Sequence, residues 1–167
     1  MGFENVTFDD EFEVEDGDIC DNCGSESQNL IGWNEDKYLS KFECLNCGIV
    51  SVLDENTGEE FIIEGVARDW EAFLRDHLAF PFEAIVDECS DEELFGGKAG
   101  PVKYKDRLIV SAVEMDEAEY RGIIVEVKKK GDRRKFCYPL CDLEVVNQKS
   151  ANYKFVNDYR TWYANCR

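Results

Sequence analysis

The chain has 167 residues, enough for one ordinary domain or two small ones, and carries 37 Asp and Glu against 19 Lys and Arg, a formal net charge of −18. No apolar run approaches the ~20 residues of a membrane-spanning helix, and the acidic start has neither the basic nor the apolar region of an export signal. Eight cysteines in such a chain point to a reducing, cytoplasmic setting with thiols reduced or on metal, a disulfide framework being the weaker reading.

Residues 1–18 form an acidic segment in which Phe3, Phe8, Phe12 and Val14 are interleaved with acids. This pattern suits either a solvated tail or an edge strand leading into the first cysteine pair. The two pairs are Cys20-Asp21-Asn22-Cys23-Gly24 and Cys44-Leu45-Asn46-Cys47-Gly48, each a C-x2-C followed by glycine. The spacing is that of a four-thiolate zinc site. Two intervening residues let a tight turn aim both sulfurs at one ion. The glycine allows positive φ while backbone N–H groups approach sulfur. With no histidine nearby to open the site, Cys20, Cys23, Cys44 and Cys47 are expected to hold a structural rather than a catalytic Zn²⁺.

Short strands are predicted at 28–34, 38–44, 49–53 and 60–64, the last two joined by a turn at Asp54-Glu55-Asn56-Thr57-Gly58. That turn lacks the spacing of a calcium loop, having Gly65 where glutamate is needed, and reads as a hairpin. Residues 19–65 thus make a small β zinc ribbon, too small to hold together without its metal.

From 66 to 167 a second domain is expected. Trp70, Phe73, Leu74, His77 and Leu78 share one helical face, with Pro81 ending the helix after Phe80. The lone His77 reads as a packed or half-exposed core residue rather than a ligand. Strands are predicted at 82–88, 107–115, 122–130, 134–139 and 143–147, with a hairpin turn at Lys130-Gly131-Asp132-Arg133. Phe155, Val156, Tyr159, Trp162, Tyr163 and Cys166 then recur at helical spacing. The fold class is therefore α+β: an N-terminal zinc ribbon, then a small SH3-like antiparallel barrel flanked by two helices.

Charge is unevenly placed. Residues 1–66 hold 18 Asp and Glu against 2 Lys, and the remainder 19 against 17. Four thiolates on one Zn²⁺ add about −2 more to the first segment. Direct nucleic-acid binding is disfavoured, because phosphates would be repelled. Within the second domain Glu83, Asp87, Glu88, Asp91, Glu92 and Glu93 form one acidic run, and Glu114, Asp116, Glu117 and Glu119 another. Lys128, Lys129, Lys130, Arg133, Arg134 and Lys135 cluster at the hairpin. The two acidic runs are expected to converge at one end of the barrel with the basic hairpin opposite. Convergent carboxylates suit a hard cation, Ca²⁺ above all. Two solvated acidic loops are the plain alternative.

Trp70, Phe80-Pro81-Phe82-Glu83-Ala84, Gly122-Ile123-Ile124-Val125, Pro139-Leu140-Cys141-Asp142-Leu143-Glu144-Val145 and Asp158-Tyr159 with Trp162 resemble a cyanobacterial family of small calcium-binding proteins. The resemblance spans residues 70–165 and leaves the cysteine pairs outside. It implies Ca²⁺ binding of modest affinity through surface carboxylates, and it adds Glu83, Asp142 and Glu144 to the ligand set. Spacing contributes Asp87, Asp91, Glu92, Asp116, Glu117 and Glu119. The function expected is a calcium-binding accessory or sensor protein with a structural zinc ribbon. The alternative is an acidic zinc-ribbon adaptor docking on a basic protein partner, with nucleic-acid mimicry as a special case. No enzyme is expected, since one histidine, no phosphate-binding loop and no nucleophile–base pair leave little machinery. Cys89, Cys137, Cys141 and Cys166 read as small buried hydrophobes.

Overall fold

The computed structural model describes residues 3, 6–9, 19–88, 102–114 and 122–165. The chain divides into two compact units between Arg68 and Asp69.

The first unit is a four-stranded antiparallel meander, β1 (Gln28–Asn34), β2 (Leu39–Cys44), β3 (Val50–Asp54) and β4 (Glu59–Glu64), in spatial order β1-β2-β3-β4. Its strands fall within a residue of where the alternating pattern puts them. The β3–β4 turn closes with Gly58 N–H on Asp54 O at 2.7 Å, Gly58 taking φ +72°, while the Asp54 carboxylate accepts from Asn56 N–H. That carboxylate is spent on its own turn, as the hairpin reading requires. Leu39, Val50 and Val52 are buried, and Phe8 packs at the position where Gly32 leaves room. A Cβ on Gly32 would lie 2.8 Å from that of Phe8. Asp9 exchanges two backbone hydrogen bonds with Trp33, so part of the acidic start pairs with the outer edge of β1. Phe12 and Val14 lie outside the described residues.

The second unit begins with α1 (Trp70–His77), capped by Asp69, whose carboxylate accepts from Ala72 N–H at 3.0 Å. The helix stops three residues short of Phe80, because Leu78 is already extended and closes the last turn onto Leu74 O. Ala79 is then bound on both sides by the buried Asn152: its N–H donates to Oδ1 and its C=O accepts from Nδ2. His77 packs by one face only. It is exposed and stacked on Phe73, at 4.2 Å between ring centroids, with Nδ1 against Phe73 O.

Five strands complete the second sheet: β5 (Phe82–Val86), β6 (Arg107–Glu114), β7 (Ile124–Lys129), β8 (Lys135–Pro139) and β9 (Leu143–Val145), in spatial order β8-β7-β6-β5-β9. A 3₁₀ turn (Leu140–Asp142) joins β8 to β9, and α2 (Ala151–Asn165) ends the unit. The alternate residues Ala84, Val86, Leu108, Val110, Val125, Val127, Leu143 and Val145 are buried, with Tyr138, Trp70, Leu74, Val156 and Tyr159 filling the same core. The fold class is α+β with two sheets. The barrel, however, is not closed by strand pairing: β8 and β9 are the two edges of an open sheet. Three residues nonetheless connect those edges. A flat sheet would hold them about 19 Å apart, four strand spacings of about 4.8 Å, so the sheet must curl to let so short a link span it.

The expected separation of basic hairpin and acidic run fails. Successive hairpin connections of an antiparallel meander alternate ends, so the β5–β6 and β7–β8 connections share one end and the β6–β7 connection, which follows Glu114, takes the other; the expectation that both acidic runs leave the sheet at one end fails with it. Lys130 N–H accordingly donates to Arg107 O, and Lys129 Nζ lies 2.6 Å from the Asp106 carboxylate.

Candidate metal centres

In the first unit two knuckles of one design face each other. Gly24 N–H donates to Cys20 O and Gly48 N–H to Cys44 O, both at 2.8 Å, with φ of +69° and +72°. Cys20 N–H closes on Ser25 O and Cys44 N–H on Ile49 O. The four Sγ atoms lie within 4.8 Å of one another, with Cys20–Cys47 at 3.8 Å and Cys23–Cys44 at 3.6 Å. Sulfurs about 2.3 Å from one tetrahedral ion are about 3.8 Å apart, whereas a disulfide needs about 2.05 Å. The geometry fits a four-coordinate metal and excludes a bridge in either pair.

The electrostatics agree. Cys23 is pulled down to about 4 by the hydrogen bond from Cys20, with Asn46 adding to it. Cys20, as that donor, is pushed up, and Cys44 is pushed up to about 11 by burial. Four thiolates this close repel, and a divalent cation is the natural way to ionise all of them. Both knuckles supply a further group that spacing arguments overlook. Asn22 Nδ2 donates to Cys47 Sγ at 3.5 Å, and Asn46 Nδ2 to Cys23 Sγ at 3.3 Å. Each asparagine reaches the opposite knuckle. The signal was present in the repeated C-x-N-C-G.

In the second unit the predicted calcium ligands divide. Asp91, Glu92, Asp116, Glu117 and Glu119 lie outside the described residues, as do Cys89 and Cys166, while Cys137 is exposed and Cys141 half-buried rather than buried as expected. Glu83, on β5, is ion-paired to Arg107 at 2.8 Å and Lys130 at 3.2 Å, and Arg107 first, then Lys130, hold its carboxyl below the usual range. Lys130 is thus beside one of these carboxylates rather than remote from all of them. Asp87 is held down chiefly by Arg160 at 2.7 Å, with Lys105 at 3.0 Å on its other oxygen.

Asp142 differs. It sits half-buried in the 3₁₀ turn, and no lysine or arginine reaches it at ion-pair distance among the described residues. Burial pushes its carboxyl up, against the hydrogen bond that Cys141 Sγ donates to its Oδ1 at 3.5 Å, and nearby Glu88 adds to the rise against the pull of Arg160. Asp87 N–H and Glu88 N–H both converge on Asp142 O, at 2.9 and 3.3 Å, so the base of the first acidic run is seated on this turn. Leu140 N–H donates to Ile123 O, just ahead of β7. Strand alternation would put Asp142 and Glu144 on one face, but only Glu144 is in a strand, opposite Ile85. Among the described residues, no set of carboxylates converges on a point as the cysteines do.

A family model described as calcium binding, of the CcbP type, matches residues 61–163. The chain belongs to the CcbP calcium-binding family. The crystal structure of Anabaena CcbP is similar at 22% identity over 57% of this chain and 71% of its own, with a TM-score of 0.44. No curated protein matches the chain. The CcbP-type match opens within β4 and leaves both cysteine knuckles outside it. Among the described residues, no helix is long and apolar enough to cross a membrane, a statement that does not extend to membrane β-barrels.

Proposed function

We propose that this chain is a calcium-responsive accessory or sensor protein of modest affinity, with a structural zinc ribbon added ahead of its CcbP-type unit. The observation that carries the calcium reading is Asp142: a half-buried carboxylate without an ion-pair partner among the described residues, in the turn that hydrogen-bonds to Asp87 and Glu88 on one side and to Ile123 on the other, in a chain whose family is calcium-binding. Asp142 would be joined by Glu88 and by Asp91, Glu92, Asp116, Glu117 and Glu119 from the two runs. Asp87, Glu83 and Glu144 contribute charge around the site, the first two while paired to bases. Ca²⁺ takes about six to eight oxygens, so carbonyls and water must complete the shell. Ordering two loops costs conformational entropy, which places the affinity at about 10⁻⁵ to 10⁻³ M. We read the curled sheet as an SH3-like barrel, on the strength of the 3₁₀ link between its opposite edges.

The test is a calcium titration of the zinc-loaded full chain by NMR and calorimetry. Saturable shifts confined to residues 87–92, 115–122 and 140–144 are expected, and are lost when Asp116 and Glu119 are both changed to Lys. Diffuse shifts across residues 1–66 instead would mean that calcium merely screens the acidic segment. A second reading, docking on a basic protein, is favoured by the charge of that segment, 18 acids against 2 Lys.

A further inference from the structure

The first unit presents its charge around an unusual strand. Among the described residues β4 is an edge of the four-stranded sheet, paired only to β3, while the other edge strand, β1, carries the backbone bridge to Asp9. Phe61, Ile62 and Ile63 are 37%, 40% and 37% exposed. Successive strand residues point to opposite faces, so three consecutive exposed apolar side chains cannot be the surface of one face. What is exposed is the edge. Phe3 lies against Phe61, at 5.5 Å between ring centroids, and still leaves it open. Long apolar edges invite another strand, and proteins blunt them with charge and bulges. Here a bulge falls at Ile63, between the pairs Val50–Glu64 and Ser51–Ile62, and exposed Glu59 and Glu64 bracket the apolar run.

Those acids decide the occupant. An antiparallel register that pairs Phe61–Ile63 with the same run of a second copy sets Glu60 opposite Glu64 twice. Of the two registers one step away, one sets Glu59 opposite Glu64 twice, and the other sets the Phe61 ring opposite the Glu64 carboxylate twice. Like charges directly opposite across strands destabilise the pair, and two copies of so acidic a segment repel at longer range as well. A strand with apolar residues opposite Phe61 and Ile62 and Lys or Arg opposite Glu59 and Glu64 meets both requirements at once.

We propose that the β4 edge is a docking site for an extended basic–apolar segment of a partner protein, which adds to the sheet as a fifth strand. This rests on the reading of the acidic segment as a dock for a basic protein, and names its surface. Main-chain hydrogen bonds would supply affinity, and the two glutamates would set polarity and register.

The experiment uses the zinc-loaded full chain and a synthetic amidated peptide, Gly-Lys-Val-Ile-Val-Lys-Arg-Gly, with a scrambled peptide of the same composition as control. NMR shifts concentrated at Glu59–Glu64, slowed amide exchange there, and binding at least tenfold tighter than the scrambled peptide are the expected result. Ile62→Lys should weaken binding at least tenfold. The double variant E59K with E64K should abolish the preference for the basic peptide over its scrambled control. These are exposed positions, and unchanged spectra elsewhere would show that the fold is kept. No response at millimolar peptide overturns the proposal. So does equal binding of the scrambled peptide. Shifts spread over other acidic residues of 1–66 overturn the edge while leaving the docking reading standing.

Discussion

Asn22 reaches across the cysteine tetrad: its Nδ2 donates to Cys47 Sγ, in the other knuckle, while its Oδ1 accepts from Arg68 N–H at 2.6 Å. One amide thus ties the first knuckle, the second knuckle and the end of the unit together. Groups that hydrogen-bond ligand atoms typically contribute about 10–100-fold to metal affinity. Asn22→Ala and Asn46→Ala should each lower zinc affinity by about that factor while all four thiolates remain. Asn22→Ala should also cost the more stability, because Arg68 N–H loses its acceptor. Chelator competition measures the first effect and thermal unfolding of the zinc-loaded protein the second. Equal behaviour of wild type and both variants would mean that the amides only fill space.

The cysteines themselves are tested more directly. Cys44→Ser should melt residues 19–64 and leave the second unit folded, since that unit has its own aromatic and aliphatic core. Native mass spectrometry should find one zinc per chain in the wild type. Because thiols must lose protons to bind, acidification should release the ion. A folded first unit without any metal would refute the assignment.

Asn152 and Trp70 hold the second unit from two directions. Asn152→Ala leaves both polar groups of Ala79 without their partner, an expected loss of about 1–3 kcal/mol for each group that stays dry. Trp70 is buried against Trp162 and Tyr159, with centroids at 5.6 and 5.5 Å. Trp70→Ala should therefore cost about 3–5 kcal/mol. Denaturant unfolding of both variants gives the numbers, and wild-type stability for Trp70→Ala would place that ring at a surface.

Asp142 gives a prediction of opposite sign. Its carboxyl is raised in the folded state, so the native protein holds that proton more tightly than the unfolded chain. Its charge therefore opposes folding above the raised value, and the opposition fades as pH falls through it. Asp142→Asn should leave the calcium-free protein as stable as wild type, or more so, at neutral pH. The same change should remove most of the stabilisation by calcium. Asp87 behaves conversely. Its carboxyl is depressed, first by Arg160 and then by Lys105, so its contribution is complete above the ordinary aspartate range and lost as pH falls through the depressed value. Thermal scans with and without millimolar calcium, at neutral and acid pH, separate the two.

The sequence carried the strands and the thiolate tetrad because both are written in local spacing. Alternation locates β1 to β9 to within a few residues, and two C-x2-C-G turns have few uses besides a metal. What was not legible depends on distance along the chain. Nothing near Asn152 shows that its amide serves Ala79, 73 residues away. The hairpin's basic residues look like a free patch, yet Lys129, Lys130, Arg134 and Lys135 are each paired to a carboxylate. The apolar pattern overstates the length of α1 because Pro81 marks the last position that can stop it, whereas Leu78 has already turned.

The 3₁₀ link has a consequence for how the second unit is made. Every strand pair in that sheet joins sequence neighbours except β5 with β9, where Val86 meets Leu143. Such distant pairing forms slowly, since its loop must close before the contacts exist. On the ribosome, β5 would emerge with one side unclaimed and keep it so until β9 had been made. That interval, rather than the finished protein, is when the second sheet is most exposed to pairing with the wrong strand.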